Sequence, residues 1–330
     1  MSKPPSKRVS KRGALREACL AIVGPTASGK TQLAIAVARS LGGEIISLDS
    51  RQAYRGFRVG SAAPTDEDLS RAPHHGVGIL EPDERYGAGR FAEFATATIH
   101  RVVASGNVPI LAGGTGLFLR ALTHPMFREP EVDPVKRDRL RHWLDEADPR
   151  HISRWARRLE SAIDLTKEPL DPQRAARSVE LALTSGRPLS WWIEHGERER
   201  PPLDARIYAL DVPGEVLRAR IEGRAREMVE SGDWEAEVRT LERAGHAESR
   251  AFDAIGYHDI LAVTRGQIGR QEALGRIVSS TWAYARRQRT WFRHQLPEAS
   301  VRLDGSKETA QLARRIEDDW RSRPQRSGRE

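Results

Sequence analysis

Short β-rich runs bounded by glycine and followed by helical periodicity occur at 19–23, 44–48, 108–112 and 206–210. Strands that alternate with helices in this way predict an α/β core built on a parallel sheet. Between about 128 and 202 the alternation stops. The segment there is helical in pattern, rich in Arg and Trp, and broken by Pro130, Pro134, Pro149, Pro169, Pro172, Pro188 and Pro201, which reads as a helical insertion in the core. After Pro213 the pattern is helical through 293, with stops at Ser231-Gly232 and Ala244-Gly245, and no internal repeat is found. The Lys/Arg/Ser/Pro-rich stretch 1–16 and a C-terminal stretch from 316 to 330 are expected to be disordered tails. The ordered chain then divides into a first part of the core at 17–127, the insertion at 128–202, and core completion with C-terminal helices at 203–315.

Composition narrows the class without naming a chemistry. The 330 residues are enough for one large or two modest domains, and no apolar run approaches the ~20 residues of a membrane helix. The apolar run 19–23 is too short for a signal peptide, so no export is expected. The one cysteine, Cys19, cannot form an internal disulfide, which fits a reducing cytoplasm and a buried structural thiol. The net charge of +8 invites an anionic partner, but Lys3, Lys7, Arg8, Lys11, Arg12 and Arg16 supply six of those charges. Any case for nucleic acid therefore rests on local arginine clusters.

The strongest local signal is G-x-x-x-x-G-K-[ST] at Gly24, Pro25, Thr26, Ala27, Ser28, Gly29, Lys30 and Thr31, placed after an apolar strand and before a helix expected at 32–40. Such a loop wraps backbone N–H groups around phosphate, sets Lys30 on the terminal phosphate oxygens and lets the Thr31 hydroxyl ligate Mg²⁺. The alternative, a chance glycine turn, does not account for the matched context. The next strand ends at Asp49, on the sheet edge where open α/β folds hold ligands. Asp49 can serve as the acidic Mg²⁺ partner of a nucleotide kinase, as a general base, or as a mere turn or N-cap aspartate. A second glycine turn, Gly113-Gly114-Thr115-Gly116, follows the third strand, which ends in no acid; this disfavours a motor ATPase or GTPase.

Seven blocks in series extend the reading: GPTASGKT at 24–31, DSRQAYRG at 49–56, PHH at 73–75, GGTGLFLRAL at 113–122, DPQRAAR at 171–177, IGYHDI at 255–260 and RRQRTWFR at 286–293. In order and spacing they resemble the bacterial tRNA dimethylallyltransferases over about 18–300. The resemblance implies transfer of a dimethylallyl group from dimethylallyl diphosphate to N6 of adenosine 37 in the anticodon loop of tRNAs reading codons that start with U, with diphosphate released. It implies that Asp49 is the general base and that Lys30, Thr31 and Mg²⁺ act on the leaving diphosphate. Arg220 and Arg224, spaced i, i+4, match the block that contacts diphosphate, with a solvated helix face as the alternative. Asp49, Ser50, Arg51 and Gln52 match a tRNA-contacting segment, as do Thr115, Arg137 and the run Gln173, Arg174, Ala175, Ala176 and Arg177, for which an ordinary surface helix is the alternative. Trp282, Arg286, Arg289 and Arg293 fall at helical spacing with no acid between them, which favours an RNA-facing or phosphate-facing stripe.

Three departures bear on secondary contacts. Ala63 stands where the family has lysine, Phe118 where tyrosine is usual, and His258 where lysine or arginine is common. The single cysteine excludes the zinc finger of eukaryotic relatives, and His74-His75 lack a third ligand at sensible spacing. A monomer is expected. The competing reading is a P-loop kinase that binds ATP and phosphorylates a nucleotide or small metabolite with Asp49 as base. A non-enzymatic RNA binder with a relict loop would lack Lys30, Thr31 or Asp49, and all are present.

Overall fold

The computed structural model describes residues 16–124, 127–128, 130–160, 171–197 and 201–322. The chain divides into two compact units, one formed by Met1–Thr123 with Leu203–Glu330 and the other by His124–Pro202. The basic tail up to residue 15, Pro169 and residues 323–330 lie outside the described residues.

In the larger unit, β1 (Arg16–Val23), α1 (Lys30–Leu41), β2 (Gly43–Ser47), α2 (Asp66–Arg71), β3 (His74–His75), α3 (Ala88–Ala104), β4 (Val108–Gly113) and α4 (Gly116–Thr123) come first. The smaller unit holds α5 (Pro134–Glu146), α6 (Pro149–Leu159), α7 (Pro172–Ser185) and α8 (Leu189–His195). The larger unit resumes with β5 (Asp204–Asp211), α9 (Gly214–Glu230), α10 (Asp233–Arg243), α11 (Tyr257–Thr264), α12 (Arg270–Gln295), β6 (Val301–Asp304) and α13 (Thr309–Arg321).

The six strands form one parallel sheet in the order β3-β2-β4-β1-β5-β6. Its central strand is apolar on both faces, with Leu20, Ala21, Ile22 and Val23 fully buried, as a sheet covered on both sides requires. Leu33, Ile35, Val37 and Ala38 of α1 and Leu312 and Ile316 of α13 join one core with the sheet residues Leu20, Ile22 and Ile110. Because every strand runs the same way, Gly24, Asp49 and Gly114 all emerge at the carboxyl edge, where β1 has neighbours on either side.

Two expectations change. The tail expected from 316 is instead the end of α13, which runs to Arg321 because Ile316 is buried and Trp320 packs against the same core. Arg16, expected in the N-terminal tail, is the first residue of β1. The strands β3 and β6, not anticipated, complete the sheet edges. Cys19 is buried, and burial pushes its thiol up to about 12.

In the smaller unit the prolines are helix starts. Pro134, Pro149 and Pro172 each occupy the first turn, preceded by Asp133, Asp148 and Asp171, whose carboxylates accept backbone N–H bonds as N-caps. Leu144, Ile152, Ala156, Ala175 and Val179 form its core. No helix among the described residues is long and apolar enough to cross a membrane.

Candidate active site

The loop after β1 turns through Ala27 at φ 61° and Gly29 at φ 90°, a left-handed path that a β-carbon disfavours at Ala27 and that glycine adopts freely. It delivers Lys30 and Thr31 into the first turn of α1. The Lys30 ammonium donates to Pro25 O at 2.6 Å and lies 3.5 Å from Ser28 Oγ. Burial lowers its pKa to about 7, against the opposing charge of Asp49 and with help from Arg224. From α9, Arg224 donates to Thr26 Oγ1 at 2.7 Å and Arg220 to Gly305 O at 3.0 Å. Burial also lowers the Arg224 pKa, opposed by Asp49.

Asp49 leaves the end of β2 just after Leu48, whose N–H donates to Ala112 O at 2.8 Å. One carboxylate oxygen, Oδ1, accepts from Arg51 N at 2.8 Å and Gln52 N at 3.4 Å, so Asp49 does shape a turn. Oδ2 accepts no hydrogen bond among the described residues, and the carboxylate acts electrostatically on Lys30, Arg224 and the partly buried Tyr284. Turn aspartate and reactive carboxylate are thus compatible at one residue. Ser50 N–H reaches Thr115 Oγ1 at 3.3 Å. The Gln52 amide is occupied by Ser47 Oγ at 2.9 Å and Ala62 O at 3.1 Å, which makes it a brace for the neighbouring loop.

Thr26, Lys30, Thr31, Asp49, Ser50, Gln52, Arg220 and Arg224 line one cavity of about 700 Å³. Its cationic end holds Lys30, Arg220 and Arg224 beside Thr26 and Thr31, and its other wall is apolar, with Ile221, Ala225, Met228, Trp234 and Ile277. The loop carrying Gly60 and Ser61 edges the cavity and is held by Glu237, whose carboxylate accepts from Arg58 N at 2.8 Å, Val59 N at 2.7 Å and the Tyr257 hydroxyl at 2.8 Å. Trp234 is 1% exposed and packs so closely on this loop that a β-carbon at Gly60 would lie 2.4 Å from its Nε1.

The remaining wall comes from α12, on a different face from the stripe expected at 282, 286, 289 and 293. Ile277, Thr281, Tyr284, Arg287 and Gln288 line the cavity. Trp282 instead packs on Val212 and Leu217, Arg289 approaches Asp211 at 3.8 Å, and Arg286 and Arg293 are exposed. Gln288, a buried polar residue inside an arginine run, is the position that sequence reasoning passed over. Its Oε1 accepts from Thr26 N at 2.8 Å and its Nε2 donates to Gly114 O at 2.9 Å, tying both glycine turns together.

A family model described as IPP transferase matches residues 52–295, and one described as isopentenyl transferase matches 17–74. The chain belongs to the IPP transferase family. The tRNA dimethylallyltransferase of Anaeromyxobacter sp. strain K is 40% identical over 295 residues, covering 89% of this chain and 95% of that protein. That of Desulfovibrio desulfuricans is 36% identical over 296 residues, covering 90% and 88%. The structure of the full-length tRNA isopentenylpyrophosphate transferase from Bacillus halodurans superposes with a TM-score of 0.66 at 28% identity, covering 93% of this chain and 97% of that one. A eukaryotic dimethylallyltransferase, solved in the course of acting on tRNA, shares the fold at a TM-score of 0.77 and 24% identity.

In this IPP transferase the other expected RNA positions lie in the smaller unit. Arg137 donates to Pro130 O at 3.2 Å, and Glu180 accepts from Arg141 at 2.8 Å and Arg177 at 3.1 Å, so these arginines brace one another through a buried carboxylate. Gln173 and Arg174 are exposed, and Ala176 is partly so. Ala175 is fully buried in the helical core, so its side chain packs within the unit. Among the departures, Phe118 stacks on Phe91 with centroids 4.2 Å apart, Ala63 N donates to Arg58 O at 2.9 Å, and His258 lies 3.6 Å from Asp253. His74 Nδ1 lies 2.8 Å from Ala72 O and His75 Nε2 2.6 Å from Glu44. Among the described residues no group of three or more His, Cys, Asp or Glu could hold a metal.

Proposed function

We propose that this protein transfers a dimethylallyl group from dimethylallyl diphosphate to N6 of adenosine 37 in tRNAs reading codons that start with U, acting as a monomer in the cytoplasm. The observation that carries the reading is a single cavity lined by the cations Lys30, Arg220 and Arg224, by an apolar wall and by the carboxylate of Asp49 at the end of β2, in a chain of the IPP transferase family. The diphosphate suits the end with Lys30, Arg220, Arg224 and the glycine loop, and a five-carbon chain suits the wall of Ile221, Met228 and Trp234. Asp49 stands where an amine entering from the open side would meet both.

In the reaction the bond between the allylic carbon and the bridging oxygen breaks as the carbon bonds to N6. The amine gives one proton to Asp49, and diphosphate leaves. An exocyclic amine is a weak nucleophile, so a base within hydrogen-bond reach contributes directly to the rate. Negative charge grows on the bridging oxygen, and Lys30, Arg224 and loop N–H groups are fixed donors for it. The Thr31 hydroxyl, with phosphate oxygens and water, would make an oxygen donor set that fits Mg²⁺, a cation that relies on few protein ligands and whose charge would stabilise the departing diphosphate. Ser50 and Arg51, which line the cavity, and Thr115, which holds Ser50 N, suit contacts to the extruded adenine, and Gln173, Arg174 and Arg177 of the other unit suit tRNA phosphates.

The test is to incubate the protein with Mg²⁺, unmodified tRNA and labelled dimethylallyl diphosphate, then determine the mass of the nucleoside at position 37. A mass gain of one dimethylallyl group only when all components are present is expected. ATP-dependent phosphorylation of a small acceptor without tRNA prenylation would overturn the reading.

A further inference from the structure

In the unit His124–Pro202, Trp143 of α5 and Trp155 of α6 stack on each other, with ring centroids 5.5 Å apart and planes inclined by 26°. They nevertheless remain 43% and 42% exposed. Large indoles left in water are uncommon unless a partner covers them. Trp155 shares its helix face with His151, Arg154 and Arg158, all exposed and spaced by three or four residues. The opposite face of α6, Ile152 and Ala156, is buried in the core of the unit and fixes the direction in which the exposed face points. The sequence of α6, PRHISRWARRL, contains four arginines and no acid. Nearby acids are engaged at the turn between α5 and α6, where Glu146 lies 3.3 Å from His142 and Asp148 caps α6 through Arg150 N at 2.8 Å.

An apolar protein partner would match the rings but strip water from Arg154 and Arg158 without replacing it. A nucleic acid satisfies both features, since bases stack on aromatic faces and phosphates pair with arginine. We propose that Trp143 and Trp155 form a stacking platform for an unpaired base of the tRNA substrate, with Arg154 and Arg158 on its flanking phosphates. The proposal rests on tRNA being the substrate. It adds a contact separate from the adenosine that enters the cavity.

The test uses the full-length protein and an unmodified tRNA transcript. Trp155→Ala should raise the tRNA Kd about 5- to 100-fold, the range expected for one lost stacked base. The single-turnover rate at saturating tRNA should stay at the wild-type level, and the variant should remain folded with a modestly lower thermal midpoint from the lost ring stack. Trp155→Tyr should restore most of the affinity, because a phenol ring still stacks. Arg154→Gln should flatten the dependence of log Kd on log salt by about 0.7–0.9 for one lost phosphate contact. Unchanged tRNA affinity in folded Trp155→Ala overturns the platform, as does a loss of self-association in sedimentation with tRNA affinity kept. A wild type that modifies the transcript while Trp155→Ala binds it equally removes only the platform. A wild type that neither binds nor modifies the transcript removes both readings.

Discussion

The backbone N–H of Thr26 donates to Oε1 of Gln288 at 2.8 Å, a contact that spans 262 residues of sequence. The same amide donates from Nε2 to Gly114 O at 2.9 Å, and a β-carbon at Gly114 would lie 2.3 Å from that nitrogen. One buried side chain therefore sets the spacing between the loop at Gly24–Thr31 and the turn after β4.

Gln288→Glu is isosteric but removes the donor to Gly114 O and brings a negative charge beside the cationic end of the cavity. We expect KM for dimethylallyl diphosphate to rise about tenfold or more, since a buried carbonyl left unpaired costs ~1–3 kcal/mol. The KM for tRNA should change much less. Steady-state kinetics with each substrate varied in turn checks this, and equal changes in both would contradict it.

Asp49→Asn keeps an oxygen for the turn bonds from Arg51 and Gln52 while removing the base. It is therefore a cleaner probe than Asp49→Ala, which also loses the turn. Both should lower the single-turnover transfer rate by about 10² or more with tRNA Kd nearly unchanged. A wild-type rate in Asp49→Asn would show that another group takes the proton.

The strands and the glycine loop were legible because their signals are local: apolar runs for a sheet covered on both faces, and a short motif for the loop. The edge strand β6 was not, since Val301–Asp304 offers one fully buried side chain, Leu303, and exists only by pairing with β5. The face of α12 that lines the cavity was not legible either, because the arginines at helical spacing draw attention to the exposed face. Burial of Ala285, Gln288 and Phe292 decides the phase, and it depends on partners far away in sequence. Glu237 and Trp234 were invisible for the same reason, as each acts through tertiary contacts with the loop at Gly60.

Met228 lines the apolar wall and is only partly buried, so it can be shortened at modest cost to the fold. Met228→Ala should weaken binding of dimethylallyl diphosphate by up to about tenfold, at roughly 0.8 kcal/mol per methylene no longer covered. Inhibition by inorganic diphosphate, which lacks the chain, should be unaltered. Competition assays with both ligands separate the two ends of the cavity, and a parallel loss for both would place Met228 elsewhere in the binding process.

Lys30 makes ligand binding depend on pH. Burial holds its pKa near 7, whereas a bound diphosphate at the ammonium would draw it upward, so binding above pH 7 must take up a proton. The Kd for inorganic diphosphate should therefore rise as pH increases from 7 to 9, by at most tenfold per unit. Calorimetry in buffers of different ionisation enthalpy should register uptake of up to one proton. The stability of the free protein moves the other way. The unfolded lysine keeps its proton up to about 10.5 and the folded one loses it near 7, so in that window the unfolded state binds more protons and stability increases with pH. Below pH 7 both states are charged, and the cost of burying the ammonium is fully expressed. Lys30→Met should abolish both trends and cripple diphosphate binding. A Kd independent of pH in the wild type would mean that Lys30 is already charged before the ligand arrives.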